Sequence, residues 1–78
     1  MFVLHVRVYN PRQDKWKAAR INGETIGQYI RDCLVINDVP STHKTEISAH
    51  EVDGKQWTRY TLTGDNTVFL QIFTTEAL

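Results

Sequence analysis

The side chains in this sequence with the potential for chemistry are three histidines, one cysteine, two serines and scattered carboxylates. His5, His43 and His50 supply imidazole, the commonest zinc ligand and the side chain that titrates near neutrality. No two of them stand at i, i+2 on one strand or at i, i+4 on a helix, so they read as ordinary surface or cross-strand histidines. Cys33 is the only cysteine, which excludes an intrachain disulfide and a multi-cysteine zinc site. Neither Ser41 nor Ser48 lies in a G-x-S-x-G turn. Glu46, Glu51 and Asp53 read as solvated strand and turn residues and not as a catalytic carboxylate pair. Gly23 and Gly27 lack the lysine and the serine or threonine of a phosphate loop. No enzyme, metal or cofactor is expected from these residues. An active site would have to be shared between subunits.

Binding is the chemistry left. The stretch Arg12-Gln13-Asp14-Lys15-Trp16-Lys17-Ala18-Ala19-Arg20 interleaves cations with an aromatic ring. Such a segment can contact phosphates with Arg12, Lys15, Lys17 and Arg20 and stack a base on Trp16. Its bland reading is a solvated hairpin whose tryptophan packs across a sheet edge.

The elements that must position these groups are read from periodicity. Phe2, Leu4, Val6 and Val8 alternate with Val3, His5, Arg7 and Tyr9, as in a half-buried strand that Asn10-Pro11 ends. Lys15 to Ile21 reads as a second strand, closing a hairpin through Arg12, Gln13 and Asp14, with a basic loop as the alternative. Thr25 and Gln28 match a capping box after Asn22-Gly23. Ile26, Tyr29, Ile30, Cys33 and Leu34 then form one helical stripe, on which Cys33 is a small core hydrophobe. Asn37, Asp38 and Pro40 end that helix.

Asp53-Gly54 signals a two-residue hairpin, in which Val52 faces Lys55 and the register runs back to Ala49 with Thr58 and Ile47 with Tyr60. Those pairs, with Leu62, are expected on the core face, leaving His50 opposite Trp57 and Ser48 opposite Arg59 on the other. A three-residue loop of Gly64, Asp65 and Asn66 then places Val68 against Leu62 and Phe73 beside Trp57. The final strand, Thr67 to Phe73, is apolar on both faces. One helix covers only one face, so Trp57, Phe69 and Phe73, with Arg59 and His50, are the expected partner-binding patch. The alternative is a second small core in which Trp16, or Ala77 and Leu78, fold over those rings.

Together these elements predict an α+β fold: one amphipathic helix on a four- or five-stranded antiparallel sheet in the order β(β)αβββ, similar in outline to cystatin-like rolls. At 78 residues the chain has room for one hydrophobic core, hence a single domain over 1–78. With 41% hydrophobic and 23% charged residues it has ordinary globular composition. Nine cations cancel nine acids, although residues 1–31 hold six against two and residues 32–78 hold three against seven. Without a signal peptide or an apolar run of roughly 20 residues, a cytoplasmic location is expected and no membrane partner. The functional expectation is a small binding protein that occupies the surface of a protein or a protein–nucleic-acid complex. By analogy it sits among phage and mobile-element inhibitors of host defence, such as anti-CRISPR proteins. A nucleic-acid-binding module and a homodimeric adaptor are the alternatives.

Overall fold

A computed structural model describes residues 2–76; the alternative in which Ala77 and Leu78 cover the aromatic rings lies outside the described residues. The chain runs β1 (Val3–Asn10), β2 (Lys15–Asn22), a single 3-10 turn (Gly23–Thr25), α1 (Ile26–Ile36), β3 (Lys44–Val52), β4 (Lys55–Gly64) and β5 (Thr67–Glu76). All five strands form one antiparallel sheet in the order β2-β1-β5-β4-β3. This is an α+β fold with the helix packed on one face. The first and last strands are neighbours at the centre of the sheet, with Val6 opposite Thr74 and Val8 opposite Ile72.

The core sits between that central pair and the helix. Leu4, Val6 and Val8 of β1, Leu62 of β4, and Leu70 and Ile72 of β5 are buried around Cys33 of α1. Ile26, Tyr29, Ile30 and Leu34 pack against this cluster, as the helical spacing predicts. Burying one such aliphatic side chain contributes roughly 1.5–3 kcal/mol.

The helix start differs from the capping-box expectation. Thr25 makes no side-chain cap. Instead the Asn22 side chain accepts from the Glu24 amide at 3.0 Å, and the Thr25 hydroxyl donates to the Asn22 carbonyl at 2.7 Å. Capping thus moves back one short turn, while Gln28 Nε2 donates to Asp32 along the helix surface. At the other end Asn37 locks the helix to the first hairpin. Its Nδ2 donates to the Cys33 carbonyl at 2.8 Å, Asn10 Nδ2 donates to its Oδ1 at 3.2 Å, and Arg12 donates to its carbonyl at 2.6 Å.

Both later hairpins are turned by positive-φ pairs. Asp53 (φ 52°) and Gly54 (φ 80°) make the expected turn, and Val52–Lys55, Ala49–Thr58, Ile47–Tyr60, Ser48–Arg59 and His50–Trp57 all pair as read from the sequence. The next loop is shorter than the three residues expected. Asp65 (φ 50°) and Asn66 (φ 63°) alone form it, so Gly64 faces Thr67 and Thr63 faces Val68. The ladder then shifts by one residue, and Leu62 pairs with Leu70 instead of Val68. Phe73 correspondingly faces Arg59 and not Trp57. A bulge restores the alternation that a two-residue loop alone would invert.

Ile47 and Ala49 are also not core residues. Ile47 is 67% exposed and β3 is exposed along almost its whole length. An α-helix is about 10 Å wide while strands lie about 4.8 Å apart, so one helix cannot roof five strands.

Candidate functional site

Strand alternation and pairing place a defined set of side chains on the helix-free face. Ala18, Arg7, Phe73, Arg59 and Ser48 stand in one row across all five strands. The adjacent row is Trp16, Tyr9, Gln71, Thr61 and Glu46. Phe73 therefore has an arginine on each side. The Trp16 ring lies 5.7 Å from that of Phe73 and 4.7 Å from that of Tyr9. The Arg7 guanidinium sits 5.6 Å above the Trp57 ring.

Arg7, Trp16, Trp57, Arg59 and Phe73 line a groove of about 490 Å³, completed by His50, Val52, Asp53 and Lys55. Three aromatic rings, Trp16, Trp57 and Phe73, and three cations, Arg7, Lys55 and Arg59, make up most of its lining. By strand position the face carries Arg7, Arg20, Lys44, Lys55 and Arg59 against Glu46, and the turns add Asp53 at the groove and Asp14 beside Tyr9, five cations to three carboxylates in a chain of zero formal charge. Arg59 Nε is buried without a hydrogen-bond partner among the described residues, an arrangement that costs free energy. Ser48 Oγ and His50 Nε2 lie 2.9 Å apart at the groove's far side.

The expected patch is brought together in part. Trp57, Phe73, Arg59 and His50 share the groove. Phe69 does not line it: the bulge turns its ring against Gly64, and Arg12 lies 5.0 Å above that ring while bonded to the helix end. The basic segment is split in the same way. Trp16 and Arg20 are on the helix-free face, whereas Lys15 and Lys17 pair with Asn10 and Val8 on the helix side. Period-two geometry forces that division on any strand, so the segment is not one contact surface. Trp16 joins the rings but remains 58% exposed and closes no second core. Arg7, Val52 and Lys55 are contributors that the sequence reading missed. Alternation alone places Arg7 beside Tyr9; that β5 is the next strand has no local signal.

Elsewhere the reactive groups stay apart. Burial pushes the Cys33 thiol above its ordinary value and the Asp32 charge adds to the rise, while a hydrogen bond with Tyr29 and, more weakly, Lys17 oppose it. His43 Nδ1 meets the Pro40 carbonyl at 2.7 Å in the loop before β3. Among the described residues no group of three or more His, Cys, Asp or Glu could hold a metal ion. Among the described residues no helix is long and apolar enough to cross a membrane.

No protein-family model matches the chain, and neither a curated protein nor a solved structure is significantly similar to it. The expected likeness to cystatin-like rolls gains no support from those comparisons.

Proposed function

We propose that this is a non-enzymatic binding protein that works by occupying a macromolecule with its helix-free sheet face, and that the ligand this face fits is single-stranded nucleic acid. The observation that carries the reading is the row in which Phe73 stands between Arg7 and Arg59, with Trp16 and Trp57 alongside. Flat rings on an open sheet accept bases by stacking, worth about 1–3 kcal/mol per base, while the flanking cations take phosphates. Arg59, in the groove beside Phe73, adds a cation next to the stacking ring. Seated on the nucleic acid of a host defence complex, the same face would make the protein an inhibitor.

Titrating the protein with short oligo(dT) and oligo(U) tests this, with quenching of Trp16 and Trp57 fluorescence as the signal. Binding should weaken with salt by about 0.7 logarithmic units per tenfold salt for each phosphate contacted. Trp57→Ala should lower affinity about 5- to 150-fold, the equivalent of one lost stack. Absence of quenching at low salt overturns the proposal. Equal affinity for polyglutamate, which has charge but no bases, would transfer the face to acidic protein partners.

A further inference from the structure

The sheet has two free edges, and they differ in charge. The β2 edge carries Lys15, Lys17 and Arg20 and no carboxylate. A second copy of that edge would be repelled. The β3 edge mixes Lys44 and His50 with Glu46 and Glu51 over nine residues, and all but Ser48 are exposed. An exposed strand of this length presents unpaired backbone donors and acceptors, a template for another strand.

Which groups are unpaired follows from the turn. In a two-residue hairpin the residues flanking the loop, Val52 and Lys55, exchange backbone hydrogen bonds, and bonded and non-bonded pairs alternate from there. His50, Ser48, Glu46 and Lys44 therefore direct their N–H and C=O groups at β4. Glu51, Ala49, Ile47 and Thr45 direct theirs outward. These four outward residues are centred on Ser48.

We propose that two copies of the chain pair antiparallel through β3, with the two-fold axis at Ser48, to form one continuous ten-stranded sheet. In a two-fold antiparallel pair, facing residues share a face, so only every second register is allowed. With the axis at Ser48, all nine residues of each β3 overlap. Thr45 faces Glu51 and Ile47 faces Ala49 of the second copy, twice each, so every outward backbone group is paired. Glu46 faces His50 of the second copy at both ends, a charge-complementary contact. Moving the axis to Ile47 brings Lys44 against His50 and shortens the overlap. Moving it to Ala49 sets Ile47 against Glu51. In the Ser48 register Ile47, 67% exposed in one chain, gains Ala49 of the second copy as an apolar neighbour; the Ile47 register would set the two Ile47 side chains together, but it leaves Glu51 and Val52 without a strand partner. Head-to-tail pairing of β2 with β3 is the competing geometry, and it would give open polymers.

Cysteine cross-linking reads the register directly. Facing residues of a non-hydrogen-bonded pair have Cα atoms about 4.5 Å apart, within disulfide reach. Under mild oxidation Ser48→Cys should give a covalent dimer, whereas Ala49→Cys, which faces Ile47, should cross-link far more slowly. Ile47→Pro removes an outward N–H that bonds nothing within one chain, so it should abolish the sedimenting dimer while leaving the circular dichroism spectrum unchanged. Faster cross-linking of Ala49→Cys, a wild-type protein that is monomeric at every concentration, or polymers in its place would each overturn the proposal. If Ile47→Pro does not fold, the comparison of the two cysteine variants decides alone.

Discussion

Leu70 and Phe73 lie three residues apart on β5 and point to opposite faces, which makes truncation of each a controlled comparison. Leu70 is fully buried opposite Leu62, itself fully buried, so Leu70→Ala opens a cavity that its neighbours cannot fill. Such a change costs about 2–5 kcal/mol. A chain of 78 residues has a net stability of about 4–12 kcal/mol at 0.05–0.15 kcal/mol per residue, so the loss takes a large share of the whole. At about 4–8 °C per kcal/mol the melting temperature should fall by roughly 8–40 °C. Phe73 is half-buried, and what it loses on truncation is its contact with the Trp16 ring and the stems of Arg7 and Arg59. One aromatic pair is worth about 0.5–1.5 kcal/mol beyond the area it buries, and half-burial of the ring adds about 1 kcal/mol. Phe73→Ala should therefore lower the melting temperature by roughly 6–20 °C. Thermal and urea melts of both variants, at concentrations where the chain is monomeric, measure the two costs side by side. If Phe73→Ala is as damaging as Leu70→Ala, the helix-free face is a second core and the groove on it is not a binding surface.

Two smaller perturbations probe the turn and the helix. Nothing lies within 4 Å of a Cβ placed on Gly54, so Gly54→Ala meets only the strain of a positive φ and should cost about 1–2 kcal/mol, read as a lower urea midpoint at unchanged slope. Cys33 should react slowly with a thiol reagent in the folded protein and quickly once unfolded; rapid labelling of the native chain would show that the helix stripe is misplaced. Because burial raises the folded thiol's pKa above the ordinary 9.0, its contribution to stability is fully present below that pH. It should be lost as the pH rises through the folded value, and Cys33→Ala should flatten this alkaline decline.

Elements with a local signal were legible: the alternation of Phe2 to Tyr9, the five-residue helical stripe, and the Asp53-Gly54 turn with its register. What could not be read depends on distant partners. Nothing in residues 67–76 says that they lie between β1 and β4, and without that order Arg7 cannot be set beside Phe73. The capping box failed because Asn22 offered a competing acceptor one turn earlier. For the candidate site, alternation alone grouped Trp57, Arg59 and Phe73. The same rule misplaced Phe69, because a bulge is invisible to a strict period of two. Sequence proximity groups Trp16 with Lys15 and Lys17, and the strand's geometry divides it from them.

The hairpin between β4 and β5 behaves like a message carrying two compensating frameshifts. The short Asp65-Asn66 loop removes one position from the count, and the extra residue at Phe69 restores it, so everything from Leu70 onward is in phase. Either change alone would exchange Leu70 and Ile72 with Gln71 and Phe73, placing glutamine in the core and leucine among the arginines. Length changes in this hairpin should therefore be tolerated only in pairs: lengthening the loop by one residue becomes harmless when Phe69 is deleted with it. The spacing of the whole segment, more than the identity of any residue in the loop, determines which face β5 shows to a ligand.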